Sequence, residues 1–282
     1  MEIFRKVSEM QSYAKNAIRE GKKIALVPTM GFLHEGHLSL IDRACAEADV
    51  VIVSIFVNPT QFGPTEDLDK YPRDFQRDKD LCEARGASAI FAPEPAEMYF
   101  PDRSIWVDEE KLSKKLCGKS RPIHFRGVCT VVSKLFNICL PDVAIFGQKD
   151  AQQALIIKRM VRDLNFPVKI IVSPLIRENS GLAMSSRNKY LSDKQKEDAL
   201  SLSRSLGIAR EMIEKNGLSA CNDAVKAMRD EINRCNGEID YVECLDSSTL
   251  EAPDDNTSEL LIALAVKFGT TRLIDNILIG VK

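Results

Sequence analysis

At 282 residues the chain is long enough to bury a substantial core, as one large domain or two of modest size. Hydrophobic residues at 44% and charged residues at 28% are ordinary for a soluble globular protein, and 39 basic against 41 acidic side chains leave no electrostatic footprint of a nucleic-acid or membrane binder. The start Met1-Glu2-Ile3-Phe4-Arg5-Lys6 lacks an apolar signal core and no later segment reaches the length of a membrane span, so a cytoplasmic protein is expected.

Residues 3–20 read as a helix with Ile3, Val7, Met10, Ala14 and Ile18 on one face, ended by Gly21. Residues 23–27 form a short apolar strand, and from His37 the positions Leu38, Leu40, Ile41, Ala44, Cys45 and Ala48 recur at helical spacing. The run 50–57 is continuously apolar, as in a parallel sheet covered on both faces, and Asn58-Pro59 stops it. A polar loop over 58–71 leads to a charged helix over 73–85, closed by Gly86, and to a strand over 89–92. In the less readable stretch 93–122, Ile105-Trp106-Val107 reads as a strand. The basic run Lys111, Lys114, Lys115, Lys119 and Arg121 there reads as a solvated face.

An amphipathic helix over 127–140, a strand over 143–146, a helix over 151–163 and a strand over 168–172 complete the alternation. The fold class is therefore α/β, an open parallel sheet wrapped by helices, with ligands expected at the carboxyl ends of the strands. The loops beginning at Pro28, Asn58 and Gly147 lie at such ends. After residue 175 the pattern changes to a polar loop over 180–192, two helices within 193–235 broken at Gly217, and strands over 239–245, 259–266 and 272–279. The expected domains are 1–175 and a smaller α+β domain over 176–282. The eight cysteines form no C-x-x-C pair and read as small core residues in a reducing compartment.

Pro28-Thr29-Met30-Gly31-Phe32-Leu33-His34-Glu35-Gly36-His37 joins the first strand to its helix. Gly31 and Gly36 permit close turns, and the helix start directs unpaired N–H groups into the loop, a place that favours anions. The glycines have P-loop spacing, but His37 and Leu38 stand where that motif needs lysine and a hydroxyl residue. The zinc-protease pattern H-E-x-x-H also fails by one position, leaving H-x-G-H.

These residues, with Phe56-Val57-Asn58-Pro59-Thr60-Gln61-Phe62, Phe146-Gly147-Gln148-Lys149-Asp150-Ala151-Gln152-Gln153 and Gly181-Leu182-Ala183-Met184-Ser185-Ser186-Arg187-Asn188, resemble the pantoate–β-alanine ligases of the H-x-G-H nucleotidyltransferase superfamily. The resemblance implies a Rossmann-like catalytic domain, a smaller lid domain, a homodimer, and use of ATP and Mg2+ to join pantoate to β-alanine through pantoyl adenylate. It assigns catalysis to His34, His37 and Lys149. Nucleotide contacts fall on Met30, Gly31, Phe32, Leu33, His34, Glu35, Gly36 and His37, on Gly147, Gln148, Lys149 and Asp150, on Ile176 through its backbone, and on Met184, Ser185, Ser186 and Arg187. Gln61 and Gln153 take pantoate, and Gln61 also β-alanine. Alanine at 183 replaces the first lysine of the related K-M-S-K-S loop, which puts weight on Arg187 and the serines.

His37 acts either as a proton donor or as a positive hydrogen-bond donor, and the sequence does not separate the two. Asp150 faces ribose or magnesium, and no metal ligand is assigned. His124 and Arg126 read as structural. The rival readings are another H-x-G-H adenylyltransferase, disfavoured for tRNA by the neutral charge balance, and a nucleotide-binding module without chemistry.

Overall fold

The computed structural model describes residues 1–64 and 66–281. Thr65 and Lys282, within the expected loop 58–71 and the expected domain 176–282, lie outside the described residues. Two compact units form, residues 1–114 with 121–174 and residues 115–120 with 175–282. The second unit thus includes a short segment, 115–120, that composition does not separate from its neighbours.

The first unit runs β1 (Glu2–Phe4), α1 (Val7–Arg19), β2 (Ile24–Thr29), α2 (Glu35–Cys45), β3 (Val50–Ile55), α3 (Phe75–Ala84), β4 (Ala89–Phe91) and α4 (Pro95–Met98). After α5 (Cys117–Ser120), which lies in the second unit, it continues through α6 (His124–Cys139), β5 (Val143–Gly147), α7 (Ala151–Asp163) and β6 (Lys169–Ser173). Its sheet has the order β1-β4-β3-β2-β5-β6, and every pairing is parallel. This is a Rossmann-like sheet wrapped by helices. Ile24 to Val27 and Val50 to Val53 are buried without alternation, because helices cover both faces. Ala25, Val27, Val51, Val53, Ile90 and Ile145 pack with Leu38, Ile41 and Ala44 of α2 on one of these faces.

Three expectations change. Ile3 belongs to β1 and pairs with Ile90, so the first helix starts at Val7: the edge of β4 takes the free backbone of residues 2–4. Ile105 to Val107 form no strand, and the Val107 amide donates to Thr130 Oγ1 at 3.1 Å instead of to a ladder. Within the basic run, Lys111, Lys114 and Lys119 are exposed as expected, whereas Lys115 and Arg121 are partly buried in pairs with Glu251 and Glu66.

The second unit contains α8 (Asp193–Asn216), α9 (Cys221–Asn233) and the antiparallel sheet β7 (Glu238–Asp246), β8 (Glu259–Phe268) and β9 (Thr271–Gly280). Ser192 and Gln195 close the start of α8 with a capping box, the Gln195 amide donating to Ser192 Oγ and the Ser192 amide to Gln195 Oε1. Leu202, Leu206, Met228, Ile232, Leu260, Ile262 and Leu264 fill the space between these helices and the sheet. No helix among the described residues is long and apolar enough to cross a membrane.

Candidate active site

Strand order decides where a ligand can enter the first unit. From β2 the chain moves through β3 to β4 in one direction, while β5 and β6 lie on the other side of β2. The topological switch is between β2 and β5, and the crevice beyond their carboxyl ends is the place such sheets bind ligands. The loop Met30 to His34 leaves β2 there, and the turn Gln148–Asp150 leaves β5 there. The turn Pro59–Gln61 follows the neighbouring β3.

The β2 loop is held from beneath. Gly31 (φ +80°) and Phe32 (φ +49°) both take the left-handed conformation. A Cβ on Gly31 would meet Asp78 Oδ2 at 2.9 Å and Ile55 Cγ2 at 3.0 Å, so only glycine fits. Thr29 Oγ1 donates to the Ser54 carbonyl at 2.7 Å and accepts the Gly31 amide at 3.1 Å. The Asp78 carboxylate, 1% exposed, accepts the amides of Phe32 and Leu33, each at 2.7 Å. Burial raises its pKa above the ordinary value, while these two bonds work in the opposite direction.

The N–H groups of Phe32 and Leu33 are therefore already taken. Asp78 was not among the expected site residues. Its signal is its position on α3, where it shares one stripe with Phe75, Leu81 and Cys82, an acid among inward-facing positions.

His34 caps α2 and His37 lies in its first turn, with ring centroids 4.0 Å apart. The His34 amide donates to His37 Nδ1 at 3.3 Å. His37 Nδ1 is then an acceptor, and the ring proton sits on Nε2. Protonating Nδ1 would set two N–H groups against each other. Burial first, then the charges of His34 and Lys149, holds the pKa of His37 well below the ordinary 6.5. Burial and the Lys149 charge lower that of His34 to about 4. Both rings are neutral donors or acceptors near pH 7, and His34 Nδ1 is buried without a partner among the described residues. Lys149 lies 3.6 Å from Asp150, and Gly147 closes the β5 ladder against Ser173.

Gln61 is set by a dense network. Its Nε2 donates to Met30 Sδ at 3.1 Å, which ties the β3 turn to the β2 loop. Asn58, 1% exposed, donates through Nδ2 to Gln61 Oε1 and to the Gly127 carbonyl, both at 3.1 Å, and accepts from Tyr99 Oη at 2.8 Å. The Gln61 carbonyl accepts His124 Nδ1 at 3.0 Å, so the proton of that ring is on Nδ1 and its Nε2 faces Arg121. Burial, then the Arg121 charge, lowers His124 to about 4. His124 thus supports Gln61, and Arg126 lies over the Trp106 ring at 4.9 Å. Gln153, in the first turn of α7, makes no side-chain hydrogen bond among the described residues.

The remaining expected contacts belong to the second unit. The Ile176 carbonyl accepts the Met184 amide at 3.0 Å, and Ser185 Oγ accepts the Arg187 amide at 3.2 Å. Ser186 is buried. Asn188 Nδ2 donates to Glu178 Oε1 at 2.6 Å and to the Ala183 carbonyl at 3.0 Å. Arg177 grips buried Asp275 with two bonds of 2.6 and 2.9 Å, which pins the base of this loop to β9.

Residues 2–278 match the family model of pantoate-β-alanine ligase. A pantothenate synthetase of Clostridium acetobutylicum is 53% identical over 277 residues, 98% of each chain. The crystal structure of pantothenate synthetase from Thermus thermophilus superimposes with a TM-score of 0.92 at 39% identity, covering 98% of this chain and 99% of that one. That of a pantoate-β-alanine ligase from Francisella tularensis, complexed with β,γ-ATP and β-alanine, does so with 0.80 at 35% identity over 99% and 97% of the two chains. The likeness spans the switch-point crevice and both units at high identity, and the chain belongs to the pantoate–β-alanine ligase family.

Proposed function

We propose that the chain joins pantoate to β-alanine in two steps that use ATP. The pantoate carboxylate attacks the α-phosphorus, the bond to pyrophosphate breaks, and pantoyl adenylate forms. The amine of β-alanine then attacks the adenylate carbonyl, expelling AMP and releasing a proton. The observation that carries this reading is the fixed Nε2–H of neutral His37 beside Lys149 at the switch point. Adenylation displaces a charged leaving group without net proton transfer, so it needs preorganised donors and positive charge more than an acid. His37 therefore serves as a hydrogen-bond donor to the reacting phosphoryl oxygens, and Lys149 supplies the charge.

Gln61 and Gln153 present amides to the hydroxyl and carboxylate groups of pantoate, and Gln61 also meets β-alanine. Ile176 contacts adenine through its backbone, and Met184, Ser185, Ser186 and Arg187 close on the triphosphate as the second unit acts as a lid. Magnesium accompanying a nucleotide needs only one or two protein carboxylates besides phosphate oxygens, and partly exposed Asp150 beside Lys149 suits that role. When bound, the ion neutralises charge on the triphosphate. The protein acts in the cytoplasm as a homodimer. The segment with Phe100, Ile105 and Trp106, respectively 64, 81 and 37% exposed, supports a second copy as its cover.

The test is exchange of labelled pyrophosphate into ATP. Exchange is expected to require pantoate and to fall about 100-fold or more in His37→Ala and Lys149→Ala. Exchange driven by another acid but not by pantoate would overturn the substrate, and ATP binding without exchange under any acid would overturn the chemistry.

A further inference from the structure

We infer that Arg77 is a second cation for the triphosphate, binding the β- and γ-phosphates of ATP from the α3 side of the β2 loop. The inference rests on the proposed use of ATP and adds a contact that the motif blocks do not contain. Arg77 immediately precedes Asp78, whose carboxylate is bolted to the loop by two 2.7 Å bonds. The backbone at 77 is thereby fixed against the loop. The Arg77 amide is in turn held by the Asp74 cap of α3 at 3.2 Å.

From this fixed base the guanidinium lies 5.2 Å from the centroid of the Phe32 ring, in the same turn that precedes His34. Its charge reaches the site, since it acts on His34 in the same sense as Lys149, both opposing protonation of that ring. Asp78 is 3.8 Å away, but it already accepts two amides and gives the guanidinium only a loose pairing. The Arg77 side chain remains 44% exposed. A planar fork held over an aromatic ring, beside a loop built for a nucleotide, suits two phosphate oxygens better than a point charge would.

ATP and AMP affinities of wild type, Arg77→Gln, Arg77→Glu and Arg77→Lys, measured by calorimetry, separate this role from a structural one. AMP carries only the α-phosphate. Arg77→Gln is expected to weaken ATP about tenfold and leave AMP within about twofold. Arg77→Glu weakens ATP further, and Arg77→Lys recovers part of the loss. A parallel fall for ATP and AMP, or no fall for either, overturns the inference. Because binding is measured without turnover, the result stands apart from pantoate-dependent exchange, whose absence in the wild type would instead overturn the proposed reaction.

Discussion

Acidification should destabilise the ligand-free protein through its histidines, by an amount that can be worked out. The chain has three histidines, and all three have lowered pKa values in the folded state: His34 and His124 at about 4, and His37 well below 6.5. Unfolding returns each to its ordinary value of 6.5. Between these values the unfolded chain binds more protons than the native one, so stability is full above about pH 7 and is lost as the pH falls. At pH 5.5 each unfolded histidine carries about 0.9 of a proton, and His34 and His124, at about 4 in the folded state, each contribute about 1.4 kcal/mol of lost stability relative to pH 7.5. Together these two remove about 3 kcal/mol, a large part of the 5–15 kcal/mol typical of folded domains, and His37 acts in the same direction.

Urea unfolding at several pH values between about 5.5 and 7.5 measures this slope directly. His34→Gln and His124→Gln should each reduce the proton uptake at pH 5.5 by about 0.9 and His37→Gln should reduce it as well, and comparing variants cancels the carboxylates, including Asp78, whose raised pKa acts in the opposite sense. A wild-type uptake below about one proton, or variants with unchanged slopes, would refute the claim that the three rings are held neutral.

Gly127→Ala should destabilise the first unit even though alanine favours a helix by about 1 kcal/mol, because the added Cβ would meet the Thr60 carbonyl oxygen at 2.5 Å and Gln61 Cα at 2.7 Å. These are backbone atoms that cannot swing aside, so a net loss of about 2 kcal/mol is expected in urea unfolding, with weaker pantoate binding as the Asn58 to Gln61 turn is displaced. Arg177→Ala removes the two guanidinium bonds from the buried carboxylate of Asp275, which keeps the Asn276 amide at 2.8 Å, and should cost about 2 kcal/mol in the same measurement, whereas Arg177→Ala combined with Asp275→Asn should recover part of the loss.

What could be read in advance followed from local pattern. The β2–loop–α2 unit was legible because apolar runs of two different periods flank glycines and two histidines, and β5 with Lys149 was legible for the same reason. Ile3 was misplaced because it matches a helical stripe, while its actual partner, Ile90, lies far along the chain. In the sequence Asp78 is one acid of a charged helix and Asn58 the end of an apolar run. Their function depends on the Phe32 and Leu33 amides and on the Gly127 carbonyl, respectively, and such distant pairings leave no trace in spacing. The charge partners of Lys115 and Lys119 are more than 100 positions away, so the basic run shows its solvated side chains in the sequence but not its ion pairs.

Asp78 also explains why the failed P-loop match has a physical counterpart. In a phosphate-cradling loop the backbone amides wrap the anion. Here two of them are already neutralised by an internal carboxylate, so the loop is rigid but partly closed to phosphate. A nucleotide is left with the amino end of α2, the imidazole edges and the cations. Lys149 already sets positive charge beside both rings, and a protonated imidazole would add repulsion to burial. Two further donors can be packed there only if they are uncharged. The backbone amide of His34 enforces that state on His37 by occupying Nδ1 and leaving Nε2–H directed elsewhere. The neutrality of the histidines is thus favoured by the crowding of donors and cations in one crevice, and under the proposed function it suits these rings to polarising the phosphoryl group rather than to transferring a proton.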